Sequence, residues 1–209
     1  MDHNGEKAVR ADTGVKEPEE DAMVEAAKNG DVEAFENLME KYQKRVFNMA
    51  FRILSNYDDA SETAQEVFIK IYRSLSGFRG DSSFSTWVYT ITRNLCMDRL
   101  RKESRGGRVV YIDEIKDNEG EGIKMELPDN RESVEETAEK NELKRIVWEA
   151  VGKLSAEHRE VIVMRDMQGF TYEEIARMTG NREGTVKSRL NRARLALREI
   201  LKDKKELLD

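Results

Sequence analysis

Three groups of side chains have types and spacings that could do chemistry. Glu62, Gln65 and Glu66 fall at i, i+3, i+4 intervals, so they share one face of a helix, with Asp58 and Asp59 just before them. Grouped carboxylates can serve as general acids and bases or hold a cation. The residues that would complete such a site are missing, because no histidine, nucleophile or glycine loop accompanies them. The second group is basic: Arg93, Asn94, Arg99, Arg101 and Lys102, followed by Arg105 and Arg108. Phe84, Trp87 and Tyr89 precede it, and aromatic faces beside cations suit unpaired bases and a single-strand backbone. Trp87 itself reads more readily as core. The third group is Arg182, Lys187, Ser188, Asn191 and Arg192, donors suited to phosphates and to base edges. His3, His158 and the single Cys96 leave no His/Cys set for a metal, so neither cofactor nor small-molecule substrate is expected.

The third group sits in a legible frame. Thr171 and Glu174 form a capping box, and Ile175, Ala176 and Met178 give the short helix after Thr171 its apolar side. Gly180 can take the left-handed backbone that stops a helix, and Asn181 is suited to cap the next one. In that second helix Val186, Leu190 and Leu197 face inward with Ala193, which leaves Lys187, Ser188, Asn191, Arg192 and Arg194 on the other faces. Gly184 lacks a side chain where two helices, or a helix and DNA, would come closest. This is the sequence form of a helix-turn-helix, which lays its second helix in the DNA major groove.

Helical periodicity runs through most of the remainder. Phe35, Leu38, Met39, Tyr42, Val46, Phe47, Ala50, Ile53 and Leu54 mark one helix, and Val67, Phe68, Ile71, Tyr72 and Leu75 a second. A third runs from Phe84 to about Arg101, capped by Ser82 or Ser83. Further on, Leu143, Ile146, Val147, Ala150, Val151 and Leu154 form a stripe, and Ser155 caps a helix carrying Val161, Ile162 and Met164. Pro18 and Pro128 are the only prolines, and both fall in segments read as non-helical. The expected fold is all-α: a disordered tail over 1–20, a helical module over 21–105, an acidic linker over 106–136 and a helix-turn-helix module over 137–209.

The net charge of −6 looks wrong for a nucleic-acid binder, but it is unevenly spread. Residues 106–142 carry −7 and residues 143–209 carry +4. Screening limits electrostatic reach to about 10 Å at ordinary salt, so the local basic surface governs attraction to phosphate. A lone cysteine fits a reducing cytoplasm, and no apolar run is long enough to insert into a membrane. These features leave two readings: a nucleic-acid binder built of two modules, or a stand-alone helix-turn-helix regulator whose first module senses a ligand or dimerises. The basic stretch over 93–108 favours the first.

The segments ASETAQEVFIKIYRSLSGFRG and FSTWVYTITRNLCMDRLRK resemble region 2 of bacterial sigma factors, and YEEIARMTG with GTVKSRLNRAR resembles region 4. With only an acidic linker between them, the chain is similar to the extracytoplasmic function (ECF) class. The resemblance implies that Asp59, Glu62, Gln65 and Glu66 dock the clamp-helix coiled coil of core RNA polymerase, with region 4 on its flap. Glu62 stands where the family more often has Asp. Arg93, Asn94, Arg99, Arg101 and Lys102 would bind the melted −10 strand, with Asn94 near the pocket for a flipped base. Arg182, Lys187, Ser188, Asn191 and Arg192 would face the −35 duplex. The linker would thread toward the RNA exit path, and an anti-sigma factor would be a partner. No catalytic activity is implied.

Overall fold

The computed structural model describes residues 18–105 and 134–202, and every regular element among them is helical. Helix α1 (Pro18–Lys28) packs on α2 (Val32–Leu54), which packs in turn on α3 (Tyr57–Ser74) and α4 (Phe84–Arg105). After the linker come α5 (Val134–Gly152), α6 (Ala156–Ile162), a widened π turn (Val163–Met167), α7 (Tyr172–Thr179) and α8 (Glu183–Lys202). The residues read as linker over 106–133 and as tail over 1–17 lie outside the described residues.

Local chemistry sets most boundaries. Asp31 accepts from the Ala34 N–H at 3.0 Å, and Asn56 accepts from the Asp59 N–H at 3.0 Å, capping α2 and α3. Ser83 does the same for α4, accepting from the Thr86 N–H at 3.2 Å. The first boundary differs from the reading of the sequence. α1 begins at Pro18 rather than near Asp21, because proline is well suited to a first helical position, where its missing N–H costs nothing. Three residues assigned to the tail are therefore ordered. One of them, Glu20, is buried, and the Tyr42 hydroxyl donates to it at 3.0 Å while Lys41 pairs with it at 2.6 Å. At the other end of the linker, α5 starts at Val134, within the stretch over 133–137 where helix was expected to resume.

The first module has its own core. Leu38, Tyr42, Val46, Val67, Ile71, Phe84 and Val88 are buried together, with the Tyr42 and Phe84 rings 5.5 Å apart edge to face. Trp87 packs against this cluster beside Phe78, as the reading of Trp87 as core required. A smaller core in the second module joins Val151, Leu154, Val161, Ile162, Leu190 and Ala193.

A third core joins the two modules, which the sequence had presented as separate bodies on a tether. Met49, Ile53, Tyr89 and Cys96 of the first module are buried against Val163, Phe170, Ile175 and Val186 of the second. The Tyr89 and Phe170 rings meet edge to face at 5.2 Å. Tyr89 and Phe84 are thus buried in cores and do not present faces to bases. Polar contacts reinforce the seam. Arg159 donates to the Ile53 carbonyl at 2.8 Å and the Ser55 hydroxyl at 3.2 Å, at the C-terminus of α2. It also donates to the carbonyls of Gly152 and Leu154, so one cation serves the ends of two helices, α2 and α5. Burial pushes the Arg159 guanidinium below its ordinary pKa. Arg52 lies 4.6 Å from the centre of the Trp148 ring.

Cys96, in the same seam, is fully buried, and loss of solvent pushes its thiol up to about 12. The thiolate is the reactive form, so alkylation of Cys96 at mildly alkaline pH should be slow in the folded chain and fast in denaturant. Mass spectrometry of iodoacetamide-treated protein checks this, and rapid labelling without denaturant would contradict the buried placement.

Candidate nucleic-acid interface and docking face

The helix-turn-helix forms as its residues dictate. The Thr171 N–H donates to Glu174 Oε2 at 2.8 Å, and the Glu174 N–H donates to the Thr171 hydroxyl at 3.2 Å. Gly180 has φ 66°, the left-handed conformation expected at the end of α7. Asn181 does not cap α8. Its side-chain amide turns back to the Thr179 carbonyl at 3.3 Å, and α8 begins two residues later at Glu183. Gly184 is not a helix-packing position either. A Cβ there would meet nothing within 4 Å.

The first part of α8 is two-sided, although Leu195 further along is exposed. Val186, Leu190 and Ala193 are buried, whereas Arg182 just before the helix and Lys187, Ser188, Asn191 and Arg192 on it are all exposed. Their freedom differs. Lys187 pairs with Glu183 at 2.6 Å and lies 5.3 Å from the Tyr172 ring centre. The hydrogen bond to Glu183 raises its pKa above the ordinary lysine value. Among the described residues, Arg192 makes only a 3.4 Å contact, to the Ser188 carbonyl. With its planar fork largely uncommitted, Arg192 is the better placed of the two for bidentate recognition of guanine. Arg194 is held by Asp166 of the π turn through a 3.0 Å bond from Nε.

On α3, Glu62, Gln65 and Glu66 form an exposed ridge, with Asp59 half-buried at its start. Ridge and α4 are not independent surfaces. They wall a groove of about 580 Å³ lined by Glu62, Glu66, Leu95, Arg99 and Lys102 among others. Arg99 bonds Asp59 at 3.0 Å through Nε and pairs with Glu62. Burial works against its charge, but the Glu62 hydrogen bond and the Asp59 carboxylate outweigh it and raise its pKa. A residue read as part of the DNA-binding set thus braces the acidic ridge.

The basic set on α4 is split between two directions. Arg99, Arg101 and Lys102 line the groove against α3. Arg101 is exposed there and pairs locally with Asp98. Arg93 bonds the Asn94 side-chain oxygen at 2.8 Å and forms an ion pair with Glu160 of α6. Glu160 had not stood out in the sequence. Its signal was a carboxylate abutting the apolar run over 161–164, which makes burial hard to avoid.

A helix-turn-helix with a bare donor-rich face, joined to a helical bundle with a basic helix end, defines an all-helical DNA-binding protein of two modules. Comparison with known proteins narrows the class. Residues 38–106 match the family model for Sigma-70 region 2, and residues 144–197 match that for Sigma-70, region 4. The chain is 34% identical over 183 residues to the RNA polymerase sigma-H factor of Pseudomonas aeruginosa, covering 86% of this chain and 92% of that protein. It is 32% identical to the ECF RNA polymerase sigma factor SigW of Bacillus subtilis, covering 86% and 95%. Among solved structures, the sigma factor RpoE in complex with the anti-sigma factor NepR, from Bartonella quintana, superposes with a TM-score of 0.62 at 27% identity. That match covers 82% of this chain and 98% of the other. The chain belongs to the sigma-70 family of RNA polymerase sigma factors, in its extracytoplasmic function class. It is a promoter-directing factor for transcription initiation, and the stand-alone regulator reading is not favoured.

Proposed function

We propose a division of labour among three surfaces. The outer face of α8, with Arg182, Lys187, Ser188, Asn191 and Arg192, reads the −35 duplex in the major groove. The end of α4, with Arg93, Asn94, Arg101 and Lys102, receives the melted −10 strand. The α3 ridge of Glu62, Gln65 and Glu66 docks the clamp-helix coiled coil of core RNA polymerase, with Asp59 and Arg99 holding Glu62 in place. The observation that carries this reading is the split, over residues 186–193 of α8, between buried Val186, Leu190 and Ala193 and exposed Lys187, Ser188, Asn191 and Arg192. Extruding a base costs a few kcal/mol, so strand capture must supply compensating contacts. Joining both DNA-binding modules on one polymerase raises their joint avidity. The factor acts in the cytoplasm, and an anti-sigma protein is its partner. That last assignment is supported by the Bartonella quintana neighbour, which was solved with such a protein.

Arg192→Ala tests the division. Transcription from a promoter that depends on its −35 element should fall roughly 5- to 100-fold, the worth of one bidentate base contact at about 1–3 kcal/mol. Retention on core polymerase should be unchanged. Equal loss of polymerase retention would count against separate surfaces. If Arg192 meets phosphate instead of a base, the loss will be uniform across promoters and the salt dependence shallower by about one unit.

A further inference from the structure

We propose that Glu160 is an internal competitor of DNA. By occupying Arg93 it masks the strand-binding end of α4 whenever the two modules close on each other. The inference rests on the reading of α4 as the −10 strand-binding helix, and adds a role for a residue outside all three surfaces. Glu160 is 1% exposed, on α6 of the second module, and its carboxylate pairs with the Arg93 guanidinium of the first. Arg93 in turn holds the Asn94 side-chain oxygen at 2.8 Å. A carboxylate offers a guanidinium the same acceptor pattern as a phosphodiester, so the two anions cannot share that face of Arg93. While Glu160 is in place, the Arg93–Asn94 pair is committed.

The seam that delivers Glu160 has the makings of a reversible closure. Its apolar part, with Met49, Ile53 and Tyr89 against Val163 and Phe170, favours the closed state. Its polar part is less favourable. The charges of a buried ion pair lose hydration that their attraction only partly restores. Nε of Arg159 is buried without a hydrogen-bond partner among the described residues, a second penalty in this part of the structure. Closure therefore carries opposing contributions, and a partner that binds the open form better would shift the balance toward it. The α8 face remains exposed in the closed form, so closure masks one DNA surface and leaves the other bare.

The experiment uses the full chain and a short A/T-rich fluorescein-labelled DNA single strand, with binding read by anisotropy. Cys96 alkylation reports opening, since Cys96 lies buried in the same seam. Glu160→Gln keeps the shape and removes the charge. It should bind the strand about tenfold more tightly, the gain expected if a tenth of the wild-type chain is open, and Cys96 should label faster. The paired exchange Arg93→Glu with Glu160→Arg should restore slow labelling without restoring strand binding, which guards against a folding defect in the single variant. If Arg93→Ala weakens strand binding but Glu160→Gln leaves it at the wild-type value, the competitor role is overturned while the strand-binding reading stands. If Arg93→Ala has no effect on strand binding, both fall.

Discussion

Glu66→Lys should nearly abolish retention on core RNA polymerase while leaving helicity and thermal midpoint where they are. Glu66 is exposed on α3, so the folded chain loses little by the exchange. The partner surface loses much more. Disrupting one member of a buried, hydrogen-bonded charge pair at an interface costs about 2–5 kcal/mol, and reversal adds repulsion. At about 1.4 kcal/mol per tenfold change, affinity should fall by a factor of roughly 30 or more. A polymerase pull-down beside a circular dichroism melt measures both quantities at once. A normal pull-down would remove the α3 ridge from the docking face. The neighbouring Glu62 should be less sensitive, because it is already engaged by Arg99.

Phe170→Ala should destabilise the fold by about 3–5 kcal/mol, the range for truncating a buried aromatic side chain. Phe170 is 1% exposed in the core shared by both modules, with its ring against Tyr89 of α4. Total stabilities of domains are about 5–15 kcal/mol, so the loss is a large share of what holds the fold together. Urea unfolding followed by far-ultraviolet circular dichroism should show a much lower midpoint. Cys96, in the same core, should label faster than in the wild-type chain. Stability and labelling both unchanged would mean that the seam contributes nothing to the folded state.

The helices and the two family motifs were legible in the sequence because their determinants are local. Thr171 and Glu174 are three residues apart, Gly180 answers a backbone requirement at its own position, and Val186, Leu190 and Ala193 repeat at helical spacing. The exposed face of α8 followed from the same register, since what is not inside a short helix must be outside. Local reasoning failed at Asn181, a fair capping residue that found a nearer acceptor in the Thr179 carbonyl. It failed also at Pro18, where punctuation was read as a break although the same ring suits a helix start.

The basic end of α4 was legible as a set but not as a surface. Sequence spacing shows that Arg93, Arg99 and Arg101 are close, not which partner each one meets. Arg99 finds carboxylates 37 and 40 residues earlier, and Arg93 finds one 67 residues later. Nothing periodic links such positions, because ion pairs across a fold depend on how whole helices pack. The order of modules, their helical character, the capped turn and the donor-rich face were thus set by short-range rules of backbone and periodicity. Whether the modules stand apart or share a core, and whether Arg93 is free or held by Glu160, was decided only by tertiary packing. Burial of apolar faces brings those distant charges into contact, and no stretch of sequence contains both.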